Sequence, residues 1–472
     1  LLSPPESKAP LARLASVVEN YIDERTRGKV VDYVDYSHLQ ERLSSLTIKE
    51  GAESWDSIWT VVDSYLAHSV KTAHPQYFNQ LWGGQSTPAL VGSVIESLAN
   101  TSMYTYEVAP VATLIETEVL QRFKHVFGFL EGEAQVTTGG SNSNYLALLL
   151  ALHQRFPEVK KQGVVGLPPV TVFVSDQAHY SMDKAMVMAG LGLDALVKVP
   201  SDDTGKIKLS ELEKLLVQCV SEGRIPVSII GTAGTTVRGA FDDFNGLAKL
   251  ASKFSCWFHI DGAWGGAVAF SKTERKWLEG CERADSLSWD GHKMLGVPLM
   301  CGVLFVRESG HFDRVCNLGD TSYIFHEAAE RQDLGPYSMQ CGRRVDMFKM
   351  WLEYVFYGEK GFENRIDRFM ALSSVAEARI KAEPSLELQS ERCINNICFR
   401  SLPTVDVDLT VFNKRVREKL YHSGKSLVNM AYLGEDMTVR LIICNKDIGE
   451  EDVNTFFDNW LAMADATEQE FA

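Results

Sequence analysis

Between about residues 85 and 345 the sequence switches repeatedly between two hydrophobic periods, and this alternation limits the fold more than any other feature. Short runs rich in β-branched and aromatic residues fall at 170–175, 227–231, 256–261, 286–289 and 301–306, each the length of a strand. Helical patterns separate them at 144–155, 183–191, 209–222 and 244–254. A strand that returns through a helix pairs parallel with its predecessor, so the pattern predicts an α/β fold with a mostly parallel sheet covered on both faces. After about 345 the order changes. Helices at 346–357 and 363–381 precede strands at 394–399 and 438–444, and a helix follows at 450–464, which reads as a smaller α+β unit. Residues up to about 70 read as charged helices and loops, including 11–23 and 55–68. Such a segment buries too little alone and is expected to pack on a larger body or a partner subunit.

A chain of 472 residues is long enough for two or three such units. Its 47 basic and 62 acidic side chains leave a net charge of −15, which disfavours nucleic acid and anionic membrane surfaces as partners. An acidic small substrate would need only locally placed cations. No apolar run approaches the roughly 18–20 residues of a membrane-spanning helix. The nine cysteines are odd in number and form no Cys-x-x-Cys pair, which fits a reducing compartment such as the cytoplasm. The eleven histidines show no metal-ligand spacing, so no metal is expected. The sequence opens at Leu1 rather than methionine, and a removed targeting segment stays open.

Four stretches could carry chemistry. Asp290-Gly291-His292-Lys293 follows a strand and precedes the apolar run 294–300. A lysine there is poorly solvated as an ammonium, which favours the neutral amine able to form a Schiff base with an aldehyde. Read alone, such a lysine is more often a solvated loop residue. Asp261 ends the hydrophobic run His259-Ile260-Asp261, where a carboxylate could meet a protonated heterocycle nitrogen or simply cap the next helix. Thr137–Asn144 places Gly139 and Gly140 before Ser141, Asn142 and Ser143 at a helix start, the pattern of an anion cradle or of a plain N-cap. Gly231–Thr236 ends another strand and could line the same crevice. A fifth stretch, Gly190–Ala195, matches the dinucleotide pattern G-x-G-x-x-G/A. It follows a helix and precedes the strand-like run 196–199, the reverse of the required order, and is discarded with the nicotinamide oxidoreductase it would imply.

Taken in order, these pieces resemble the pyridoxal-phosphate-dependent group II amino-acid decarboxylases, and most closely the animal-type glutamate and cysteine sulfinate decarboxylases. The resemblance runs from about His74 to Asn445. It is carried by His74-Pro-Gln-Tyr-Phe-Asn-Gln80, Tyr104-Thr-Tyr-Glu-Val-Ala-Pro110, residues 139–144, residues 259–266, His292-Lys293 and Gln340-Cys-Gly-Arg-Arg344. It implies the aspartate aminotransferase-like fold type I of PLP-dependent transferases. The large parallel-sheet domain would span 85–345 and the small C-terminal α+β domain 346–472. A segment over 1–84 would pack on the partner of a homodimer. It also implies pyridoxal 5'-phosphate held covalently by Lys293, its ring nitrogen paired with Asp261 and its ring face stacked on His179. Asn142, Ser143 and His292 would bind the phosphate, and Thr232 and Ala263 would line the cofactor. Asp290 stands where animal members carry Asn. Arg440 would hold the substrate α-carboxylate, setting the scissile bond perpendicular to the ring. Retention of Lys293, Asp261, His179 and Arg440 argues against a non-catalytic relative that only binds cofactor or partners.

The family's side-chain pocket is formed partly by the segments around Gln80 and Tyr104. Trp82 stands where glutamate decarboxylases have a small hydroxyl residue and cysteine sulfinate decarboxylases an aromatic. Ser102 and Tyr104 also follow the cysteine sulfinate pattern. A large Trp82 shortens the pocket and favours a three-carbon acidic substrate. The resemblance therefore implies decarboxylation of cysteine sulfinate to hypotaurine, with cysteate or aspartate as further substrates. Glutamate or aspartate decarboxylation, or an aldehyde-forming synthase on the same scaffold, is the alternative. The last arises because the family's mobile-loop tyrosine is replaced by Gln332 within the shorter stretch 323–339, unless Tyr337 serves instead.

Overall fold

Seven strands form the sheet that the alternating sequence predicts, in a computed structural model that describes residues 4–43, 54–319, 324–325 and 332–472. Across the sheet they run Glu133–Thr137, Gly302–Val306, Ser286–Asp290, Trp257–Asp261, Ile225–Thr232, Val170–Ser175 and Leu196–Val199. Six point the same way, and only Gly302–Val306 opposes its two neighbours. The carboxyl ends of Glu133–Thr137, Ile225–Thr232, Trp257–Asp261 and Ser286–Asp290 therefore share one edge, where open α/β sheets bind ligands.

Helices cover both faces. The helix Gly140–Arg155 buries Leu146, Leu150 and Ala151 in one cluster with Val172, Val174, Ile230 and Leu304. Each such leucine contributes roughly 2 kcal/mol by leaving water, which fixes the helix start at the strand ends. On the other face Phe123 and Phe127 of the helix Pro110–Phe127 pack on Trp289 and Phe305, with ring centroids 4.7–5.5 Å apart. Trp289 and Asp290 are successive strand residues, so they point to opposite faces.

These elements belong to the larger of two compact units, Gln85–Ala371 with Ser390–Asn396. The other comprises Leu1–Gly84, Leu372–Gln389 and Ile397–Ala472. Its five-stranded sheet is ordered Tyr77–Phe78, Leu427–Leu433, Asp436–Ile442, Asn396–Ser401 and Leu386–Leu388. One division falls between Gly84 and Gln85, the next after Ala371 and not at the expected 345, and the N-terminal segment shares a unit with the C-terminal strands. Tyr77–Phe78 pairs in parallel with Leu427–Val428, which joins the N-terminal segment to the C-terminal strands. The helix Asp346–Ala382, bent at Gly358 with φ 62°, begins in the larger unit because Met350 packs on Gly291 and Glu353 pairs with Arg365.

The sequence does not predict the helices Thr87–Ala99, Pro110–Phe127 and Leu409–Ser423, nor the strand Glu133–Thr137. The discarded glycine pattern lies between the helix Ser181–Met188 and the strand Leu196–Val199, the order that ruled it out. No described helix is long and apolar enough to cross a membrane. Among the described residues no group of three or more His, Cys, Asp or Glu could hold a metal ion.

Candidate active site

The strand Glu133–Thr137 ends in a turn through Gly139, whose φ of +102° only glycine adopts readily, and the helix starts at Gly140. A Cβ on Gly140 would lie 2.8 Å from Ala263 Cβ, so backbone approaches Ala263 and Asp290 there. Asn142 Oδ1 accepts from Thr138 N at 3.3 Å and from Gln340 Nε2 at 3.4 Å. Ser143 is fully buried, and its hydroxyl pairs with that of Thr137 at 2.6 Å.

Asp290 closes this turn from the end of the strand Ser286–Asp290, two places across the sheet. Its Oδ2 accepts from Gly140 N at 3.1 Å and stands 3.2 Å from Lys293 Nζ and 3.6 Å from His292 Nε2. The lysine is thus not the isolated amine that the apolar run after it suggests. Its side chain is one-fifth exposed and has a buried carboxylate beside it. Cys301 N donates to His292 Nδ1 at 3.1 Å, and burial lowers that imidazole's pKa.

Asp261 ends its strand two residues after His259, on the same face. Its Oδ1 accepts from Ala263 N at 3.1 Å and lies 3.4 Å from Ser288 Oγ, and its Oδ2 accepts from Asn144 Nδ2 at 2.8 Å. Thr232 lies beside it in register. His179 follows the strand Val170–Ser175. Ser181 N donates to its Nδ1 at 3.2 Å, and burial lowers its pKa against the pull of Asp261, so the ring is neutral and flat-faced near pH 7. Asn144 and Ser288 are partners of Asp261 that the sequence reading missed. The available signal was register, since Ser288 stands opposite Asp261 on adjacent parallel strands.

His259 behind Asp261 carries a measurable consequence. Burial lowers its pKa from 6.5 to about 4. The unfolded chain therefore binds a proton that the folded chain refuses, and the stability tied to neutral His259 is full above 6.5 and lost as pH falls toward 4. The loss is expected to be roughly 3 kcal/mol. Asp242, raised to about 6 by burial, acts in the opposite sense in that window. Urea melts of the wild type and His259→Leu at pH 7 and pH 4.5 isolate the histidine. An unchanged pH slope in the variant would refute its part.

The remaining candidates divide between the units. Ser102 Oγ accepts from Arg343 N at 3.3 Å, and Tyr104 O accepts from Gly335 N at 3.0 Å, tying both to the 333–343 segment of the larger unit. Gln332 and Tyr337 are exposed, and the rest of the loop expectation, at 323 and 326–331, lies outside the described residues. Gln80, Trp82 and Arg440 belong to the smaller unit. There Gln80 is exposed and Trp82 lies 6.2 Å from the Tyr77 ring. Arg440 is 5 % exposed, donates to Asn79 O at 3.0 Å, and has its pKa lowered by burial.

Two buried polar atoms at this edge, Thr232 Oγ1 and Asp290 Oδ1, have no hydrogen-bond partner among the described residues. Orphaned buried polar atoms beside a glycine turn, a neutral imidazole, a carboxylate and a lysine fit a phosphorylated pyridine aldehyde. The fold and this site define an enzyme of the PLP-dependent class with fold type I. Residues 38–402 match the family model described as the pyridoxal-dependent decarboxylase conserved domain. The chain is 34% identical to cysteine sulfinic acid decarboxylase of Mus musculus over 440 residues, 90% of this chain and 89% of that protein. It is 34% identical to glutamate decarboxylase of Drosophila melanogaster over 484 residues, 98% and 94% of the two. A crystal structure of mouse CSAD superposes with a TM-score of 0.93 at 33% identity, covering 98% of this chain and 99% of that one. The chain belongs to the pyridoxal-dependent decarboxylase family, and it is a PLP-dependent amino-acid decarboxylase.

Proposed function

We propose that this enzyme decarboxylates a small acidic amino acid, with L-cysteine sulfinate preferred and hypotaurine as product. The observation that carries the substrate is Trp82, a large side chain where glutamate decarboxylases have a small one. Ser102 and Tyr104 support it, as does the 34–38% identity to three mammalian proteins named cysteine sulfinic acid decarboxylase. Cysteate and aspartate, with the same three-carbon reach, are secondary substrates.

In this reading Lys293 attaches the cofactor, Asp261 faces its ring nitrogen and His179 lies on its ring. Asn142, Ser143, His292 and Asp290 surround its phosphate, and Thr232 and Ala263 line the remaining edge. The cofactor supplies an electron sink for the carbanion left when carbon dioxide departs. Arg440 grips the α-carboxylate with a bidentate guanidinium and so orients the bond that breaks. Gln80, Trp82, Ser102 and Tyr104 bound the side-chain pocket.

The enzyme acts as a cytoplasmic homodimer in this reading. The helix Pro4–Glu24 exposes Leu11, Leu14 and Val18, an apolar stripe suited to the partner subunit. All nine cysteines are unpaired thiols, in keeping with a reducing compartment.

Initial rates on cysteine sulfinate, cysteate, aspartate and glutamate, with amine and carbon dioxide both quantified, test the substrate. Cysteine sulfinate is expected to give the highest kcat/KM. A preference for glutamate would overturn the pocket argument. Gln332 at the loop-tyrosine position favours a second reading, aldehyde formation at the expense of molecular oxygen, which measuring peroxide and aldehyde alongside the amine detects.

A further inference from the structure

Behind Asp261 lies a row of hydrogen bonds whose direction can be worked out proton by proton. It arises from strand register. Trp257, His259 and Asp261 alternate onto one face of their strand, Ser286 and Ser288 onto the same face of the next, and His259 stands opposite Ser286. Asn144, 1 % exposed, enters from the helix above.

Asp261 Oδ2 can only accept while ionised, so the amide nitrogen of Asn144 faces it at 2.8 Å and also donates to Ser181 Oγ at 2.9 Å. The amide oxygen then faces His259 Nε2 at 3.0 Å and Ser288 Oγ at 3.0 Å, and both must donate to it. With its proton on Nε2, a neutral His259 accepts at Nδ1 from the Ser286 hydroxyl, 2.8 Å away. Ser286 Oγ in turn accepts from the indole N–H of Trp257 at 2.8 Å, a group that can only donate. Every donor in the row Trp257, Ser286, His259, Asn144 points toward the carboxylate. His259 is 1 % exposed, so no water replaces a missing partner cheaply.

We infer that Asn144 and His259 are positioning residues: through this one-way row they hold the Asp261 carboxylate fixed in orientation toward the cofactor's ring nitrogen. The inference rests on the proposed role of Asp261. A carboxylate gripped by fixed donors on the protein side cannot turn away from the ring. A donor lost from His259 frees the Asn144 amide to rotate, and a rotated amide would present its oxygen to the carboxylate and repel it.

The unmodified apoenzyme provides the first test. In protein labelled with 15N-histidine, one buried imidazole, assigned by its absence in His259→Leu, is expected as the neutral Nε2–H tautomer at pH 7. A charged ring or an Nδ1–H tautomer overturns the row. Titration of apoenzyme with pyridoxal phosphate provides the second. His259→Leu and Asn144→Leu are expected to weaken binding about 10- to 100-fold, the size of outer-shell losses at metal centres. His259→Gln, which keeps a donor toward Asn144, is expected to recover most of it. Leucine variants that remain folded by circular dichroism and bind like wild type overturn the inference. Asp261→Asn is the control for the underlying reading. If it binds and turns over like wild type, the role of Asp261 fails. If it is impaired while His259→Leu is not, only the row fails.

Discussion

Lys293→Ala is expected to bind pyridoxal phosphate only reversibly and to lose at least about 10³-fold in turnover, because the protein has then lost its proposed covalent attachment point. Borohydride reduction followed by peptide mass spectrometry is the direct measurement. In the wild type the cofactor mass should be found on the peptide carrying Lys293, and in the variant on no peptide. Cofactor found on another lysine would show that the attachment site has been misassigned. The variant also leaves Asp290 buried without the nearby ammonium, so its apoenzyme should be less stable than the wild type near pH 7. Lys293→Met tests whether lost side-chain volume contributes.

The second large effect concerns stability. Arg343 and Glu116 form a two-pronged ion pair at 2.6 and 2.8 Å, with side chains 4% and 2% exposed. Glu116→Ala strands the guanidinium in a dry site and is expected to cost about 3–5 kcal/mol. The damage should reach the proposed substrate pocket, because Arg343 is joined through its backbone to Ser102 and Met103. Thermal melts should show a lower Tm, and KM should rise in whatever fraction stays folded. A double substitution, Glu116→Leu with Arg343→Met, should regain much of the lost stability, since removing both charges removes the stranded one. A single variant that melts with the wild type would mean that water reaches the pair.

How much of this was legible in the sequence differs by element. The strand near 170–175 and the helix 244–254 announce themselves through a β-branched run and an amphipathic one, and the glycine turn at 139–140 marks the start of the helix above the site. Glu133–Thr137 did not, because an edge strand opening Glu-Ala-Gln lacks an apolar run. The helices Thr87–Ala99 and Pro110–Phe127 leave Val91, Val94, Leu98, Val111 and Leu114 exposed, so their apolar residues follow no single buried stripe. His179 and Arg440 stood out only through family resemblance, whereas Lys293 and Asp261 were candidates by their places at or just after strand ends and needed the resemblance to outweigh their ordinary readings. Asn144 and His259 stayed hidden for a different reason. Their significance lies in pairing between strands and a helix 115 residues apart in sequence, which no local pattern contains.

The single opposed strand of the large sheet also has a consequence for how the protein is made. Glu133–Thr137, which leads into the glycine turn, has Gly302–Val306 as its neighbour in that sheet, and the latter lies between it and Ser286–Asp290. A nascent chain leaves the ribosome with its glycine turn and its lysine already synthesised but not yet stitched together. The strand that joins them is the last of the seven to emerge. Contacts of such long sequence separation form late, so Glu133–Thr137 is expected to wait for residues 302–306 before it joins the sheet, and until then the helix Gly140–Arg155, packed on Val172 and Ile230 and bonded through Asn144 to Asp261, is what keeps the glycine turn beside the other strand ends.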